Sequence, residues 1–149
     1  MIARSYISSN LDAINRSYLK AASYRESLLL SKLAILELCG WIEESMDDVV
    51  MRCATRHLKL QSNVNYCQNE FVNKTYGFDY HRNFRFMLIR LLGLIKVEKI
   101  EARVDQIKSD RMKGALSSLK VQRNTEAHTH EESMLLLSRS DSSSRCTRV

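Results

Sequence analysis

The chain has no proline and only four glycines in 149 residues. Proline fixes φ and removes a backbone donor, so its absence leaves long helices uninterrupted. An all-α fold is favoured at once. The four cysteines are Cys39, Cys53, Cys67 and Cys146, and no two stand in a CxxC or CxH spacing. That excludes the usual zinc frameworks, and neither a metal nor a cofactor is expected. No stretch reaches the ~18 uncharged apolar residues that a membrane helix needs. The nearest, residues 27–42, is broken by Lys32 and Glu37. The first ten residues lack the apolar segment of a cleavable signal. A cytoplasmic protein with reduced thiols and no membrane partner is expected.

What is present suits one domain. Hydrophobic content of 44% and charged content of 27% are those of an ordinary globular protein. A chain of this size buries roughly 70% of its unfolded surface. The formal charge is +6. A basic balance favours a polyanionic partner such as nucleic acid, although it also serves plain solubility.

Apolar spacing places the helices. Ser9 with Asp12, and Ser23 with Glu26, have the spacing of capping pairs. They predict a helix over residues 9–21 and a longer one over 24–58. The second carries the stripe Ile35, Cys39, Ile42, Met46, Val49, Cys53, in steps of four and three. Its cysteines therefore read as small core residues. Glu43, Glu44, Asp47 and Asp48 read as its solvated side. Residues 61–65 are polar and predict a loop, followed by a short helix over 64–76 with Tyr66 and Phe71. Gly77 ends it and Asp79 can cap the next. Phe84, Leu88, Leu91 and Ile95 mark that helix. Val97, Ile100, Val104 and Ile107 continue it, either after a bend near Gly93 or as the same helix. Ser109 and Asp110 offer a further cap. A bundle of four to six helices results, with residues 1–137 as the domain. Residues 138–149, rich in serine and arginine, are expected to be disordered.

The last helix has Met112, Leu116 and Leu119 on one face, and the next place in that series is Arg123. Asn124 follows, and His128 lies five residues beyond the arginine. The spacing itself is weak. For 14 arginines and 4 histidines in 149 residues, chance supplies about 0.4 such pairs. Arg52 and His57 repeat it within the long second helix, where it reads as a solvated helix end. Three features set Arg123 apart. It enters a buried seam, where an unpaired charge is costly. Asn124 adds a neutral donor and acceptor beside it. His128 stands near a helix end after the small Ala127, leaving room for a phosphate. The competing explanation is an arginine favoured by the helix dipole at a C-terminus.

Arg123-Asn124-x-x-Ala127-His128 resembles the Arg-(four to six residues)-His motif of HEPN domains, all-helical ribonucleases of toxin–antitoxin and phage-defence systems. With Thr75-Tyr76-Gly77-Phe78 and the segment from Met87 to Gly93, the chain looks most like the HEPN branch linked with RNA-repair operons. The resemblance covers roughly residues 20–130. It implies a homodimer whose two Arg/His pairs face one groove. It also implies metal-independent RNA cleavage, with an antitoxin or neighbouring defence protein as a further partner. His128 would act as general base or acid, Arg123 would hold the scissile phosphate, and Asn124 would orient one of them. In members silenced by a partner nucleotidyltransferase, a tyrosine follows the histidine by two. Here that place is His130, so tyrosine modification is not implied.

Residues five apart on one helix point about 140° away from each other. A dimer, or a helix end after Arg123, would have to bring them together. Accessory candidates for RNA are His130, Arg82, Arg85 and Lys120. Arg82 and Arg85 belong to a basic stretch with Arg90, Lys96 and Lys99, interleaved with Phe84 and Phe86. That stretch suits RNA phosphates and the outward face of a core helix equally.

Overall fold

A computed structural model describes residues 4–128, with side chains through Glu126. Every regular element among them is helical. The order is α1 (Arg4–Tyr18), α2 (Tyr24–His57), α3 (Gln61–Cys67), α4 (Arg85–Leu92), α5 (Leu94–Glu101) and α6 (Gln106–His128). One π-helical turn, Gln68–Val72, prolongs α3, and another, Tyr80–Phe84, leads into α4. The expected bundle of four to six helices is present. The expected domain boundary at 137, and the tail after it, lie outside the described residues.

The long α2 is the spine. Its 34 residues span about 50 Å. The cap expected at Ser23 is there: its Oγ accepts from the Glu26 amide at 3.2 Å. Glu26 reaches back and accepts from the Ala22 amide at 2.8 Å. α1 folds back along the first half of α2, where Asn10 donates to Glu37 at 3.4 Å. Ser9 caps nothing. It lies inside α1, which is already helical at Arg4 and buries Ile7.

Three small apolar clusters follow one another along α2. Cys39 packs with Phe78 and Leu116, flanked by Ile35, Ile42, Met46 and Leu119. Val50 packs with Val72 and Met87. Ala54 packs with Cys67 and Phe71. The expected stripe is therefore right through Met46 and one place early beyond it. Val50 and Ala54 are buried, whereas Val49 is exposed. A repeat averaging 3.5 residues drifts by about 20° per heptad against a straight helix. The buried line runs Cys39, Val50, Ala54, which follows the true 3.6 period.

The loop expected over residues 61–65 is helical instead. Val64 and Cys67 are three apart and both buried, so the amphipathic face against α2 overrides the polar composition. The helix expected to run to residue 76 and end at Gly77 stops at Val72 instead, and Gly77, at φ +102°, lies in the segment beyond; Asp79 does cap the next by accepting from the Arg82 amide at 2.9 Å. α4 and α5 are separate helices. Gly93, at φ +81° and ψ 152°, makes the break, in backbone territory that glycine adopts without a Cβ clash. Val97 is buried beyond it, while Ile95 and Ile107 face solvent. α6 begins earlier than expected. Asp105, not Ser109 or Asp110, caps it, accepting from the Lys108 amide at 3.1 Å.

Candidate functional site

The segment before the second π-turn builds the floor. Asn83 clamps it, donating to the Tyr76 carbonyl at 2.8 Å and accepting from the Asp79 amide at 3.0 Å. The Gly77 amide donates to a Glu43 carboxylate oxygen on α2. Between these ties Phe78 turns inward and is only 2% exposed, wedged between α2 and α6.

Arg123 lies over that ring. Its guanidinium carbon is 5.3 Å from the Phe78 centroid, within the ~6 Å reach of a cation–π contact. Nε and Nη2 both donate to Asn124 Oδ1, at 3.3 and 3.2 Å. Arg123, expected on the inner face of its helix, is there, half-buried in line with Leu116 and Leu119. The aromatic ring is what allows a charge at that depth. Its charge is felt at Cys39. Burial pushes that thiol's pKa up, Arg123 opposes the shift, and Glu43 reinforces it.

One contrast defines the site. Among the described residues, five Lys or Arg are half-buried: Lys32, Arg85, Lys113, Lys120 and Arg123. Four of them pair with a carboxylate, namely Glu126, Glu101, Asp110 and Asp79. Among the described residues, none pairs with Arg123. An uncompensated guanidinium at this depth suits a phosphate, which accepts two parallel N–H bonds from it.

α6 runs unbroken through Arg123 to His128, the last described residue. No helix end separates it from the arginine, so one protomer's pair stays on faces about 140° apart. Lys32 ties this last turn to α2, donating to the Glu126 carbonyl at 3.3 Å. The imidazole of His128 and all of His130 lie outside the described side chains. The Arg52–His57 pair stands at the end of α2, and there Arg52 meets Asp48 at 2.9 Å.

The accessory candidates do not gather around Arg123. Arg82 is exposed in the second π-turn. Arg85 is held by Glu101, Nε to Oε1 at 2.8 Å and Nη2 to Oε2 at 3.1 Å. Those bonds hold the Glu101 carboxyl below its ordinary range. Lys120 meets Asp79 Oδ2 at 3.1 Å. The Arg82 amide, and secondarily Lys120, keep Asp79 below the usual carboxylate range. Arg90 lies over Phe71, 4.4 Å from its centroid.

Two features escaped the sequence. A recess of about 570 Å³ opens between α4, α5 and the start of α6, walled by Phe84, Val97, Ile100 and Met112. At its edge the Tyr80 hydroxyl donates to Glu101 at 2.9 Å, and burial first, then this carboxylate, pushes its pKa up to about 12. The second is Asp47. It belongs to the side read as solvated, yet burial first, then Glu43 and Glu44, raise its pKa to about 6. No cluster of three or more metal-binding side chains occurs among the described residues, and none of their helices is long and apolar enough to cross a membrane.

No family model matches the chain, and no curated protein or solved structure matches it either. What the fold defines is an all-α chain built on one long helix.

Proposed function

We propose that the chain is a metal-independent endoribonuclease acting as a toxin or phage-defence effector, with Arg123, Asn124 and His128 as its working residues. The observation that carries this reading is the half-buried Arg123, which has no carboxylate partner among the described residues. The guanidinium holds the scissile phosphate and offsets the charge that develops on it. Asn124, already bonded to the guanidinium, fixes its orientation. His128 removes the ribose 2′-OH proton or protonates the leaving 5′-oxygen, since an imidazole titrates near neutrality. Attack by the 2′-oxygen on phosphorus breaks the P–O5′ bond. The products are a 2′,3′-cyclic phosphate and a 5′-OH. DNA lacks the nucleophile and is not a substrate. Because α6 is continuous, the arginine of one copy works with the histidine of another.

The full chain should cleave single-stranded RNA in EDTA. Arg123→Ala or His128→Ala should each lose on the order of 10²-fold or more. Wild type that leaves RNA intact sinks this reading, as does His128→Ala cleaving like wild type. Growth arrest on expression, relieved by Arg123→Ala, would support toxicity.

A second reading is favoured by the Phe78 contact, which gives Arg123 a structural role. In it the HEPN-like helical dimer binds RNA or a partner protein without cutting. RNA retained on the protein, weakened by salt and never cleaved, would select it.

A further inference from the structure

The first half of α2 carries large apolar side chains that stand exposed among the described residues. Leu29, Leu33 and Leu36 are 48%, 43% and 52% exposed. With Gly40 they fall within about 60° of one another on the helix, at the four-three-four steps of a coiled-coil seam. Gly40 is exposed, and a Cβ built on it would meet nothing within 4 Å. The line therefore ends in a gap. Exposed Arg25 lies one turn before Leu29, and exposed Glu44 one turn after Gly40.

These positions are self-complementary. A two-fold axis passing between residues 34 and 35 pairs each residue with the one whose number completes 69. Leu33 then meets Leu36 of a second copy. Leu29 enters the gap over Gly40, and Arg25 meets Glu44. The charge pattern agrees. Residues 24–35 contain Arg25, Lys32 and Glu26, whereas residues 36–48 contain Glu37, Glu43, Glu44, Asp47 and Asp48. An antiparallel pair sets each acidic half beside a basic one, and a parallel pair stacks like on like.

We infer that this face of α2 is an isologous interface, on which a second copy of the chain packs its own α2 antiparallel. The inference stands on the exposed leucines, the gap at Gly40 and the charges, independently of the ribonuclease reading. It also bears on that reading. The α2 residues that meet α6 lie roughly 100° around the helix from the leucines. A two-fold of this kind leaves both α6 ends on the same side of the paired helices.

The test is light scattering on the full chain, with oxidative cross-linking beside it. Wild type should run at twice its 17.3 kDa. Leu33→Glu should weaken the dimer by about 100-fold or more, with the helical circular dichroism unchanged. Arg25→Glu and Glu44→Arg should each weaken it, and the double exchange should restore it. Leu29→Cys with Gly40→Cys should cross-link two chains, whereas Leu29→Cys alone should match oxidised wild type. Those two positions are about 16 Å apart within one helix, too far to bridge in a single chain. A monomeric wild type overturns the inference. So does a dimer that Leu33→Glu leaves intact, or efficient cross-linking through Leu29→Cys alone, which would mean a parallel pair. A dimer of the expected kind that cuts no RNA removes the ribonuclease reading and leaves this one standing.

Discussion

Replacing Asp47 by asparagine should stabilise the protein at neutral pH and do nothing at pH 4. Asp47 stands one turn before buried Val50, on the face of α2 that turns inward. Burial is the first cause of its raised pKa, and the carboxylates of Glu43 and Glu44 add to it. The folded pKa is about 6 against an ordinary 3.8. The folded state thus holds the proton more tightly than the unfolded chain. Stability falls as pH rises through the window from about 4 to about 6, and the full penalty remains above it. At 1.36 kcal/mol per pH unit the gap sets a ceiling of about 3 kcal/mol. Asp47 is only part-buried and water screens its neighbours, so about 1 kcal/mol is the expected effect. Asparagine keeps the shape and has a similar helix propensity. Urea unfolding at pH 4, 5, 6, 7 and 8 would measure it. The variant-minus-wild-type difference should be near zero at pH 4, grow between pH 4 and 6, and level off. Taking that difference removes the opposite trends of Asp79 and Glu101, whose depressed pKa values stabilise the fold above the acid range. A difference that is flat with pH, or an asparagine variant less stable at pH 8, would refute the assignment.

Phe78→Ala should cost about 3–5 kcal/mol by urea unfolding at pH 7, since a 2% exposed ring between two helices leaves a cavity; a loss under 1 kcal/mol would mean that the wedge is not holding α6. Ser23→Ala should cost about 1 kcal/mol through loss of the cap that receives the Glu26 amide. Ser9→Ala, inside α1 and exposed, should be neutral or slightly stabilising in the same assay; equal losses at the two serines would contradict the difference in their positions.

The helical scaffold was legible because its signals are local. Ser23 with Glu26, and Asp79, act within a few residues, and each behaves as its chemistry dictates. Failures came where a distant partner decides. Residues 61–65 read as a loop by composition, but α2 offers a surface at Ala54 that Cys67 of the same helix covers. Asp47 read as solvated because its neighbours in sequence are acidic. Its burial is not something that spacing within α2 reveals. Ser109 and Asp110 looked like a cap as well as Asp105 does, and only the backbone path separates them. At the site, the inward place of Arg123 could be read from the stripe Met112, Leu116, Leu119. The Phe78 ring that receives it comes from 45 residues earlier, set by a turn whose effect is not visible in spacing.

Arg52–His57 and Arg123–His128 share a spacing, and each pair lies on one continuous helix. Spacing and helix together therefore still fail to separate a site from a coincidence. Compensation separates them. Arg52 is exposed and satisfied by Asp48 one turn earlier. Arg123 is half-buried over an aromatic face, with only a neutral amide beside it among the described residues. A ring quadrupole and an amide oxygen stabilise a guanidinium without cancelling its charge, so the field remains available to an incoming anion. The unbroken α6 then decides what that field can do. An arginine alone binds phosphate, and the proposed cleavage also needs His128, whose place on the same helix is about 140° around from Arg123. Catalysis at this position thus requires a second chain, whereas pairing through Leu29, Leu33 and Leu36 does not require catalysis. The dependence runs one way. A strictly monomeric protein would end the shared-groove ribonuclease, leaving Arg123 as a cation held on Phe78.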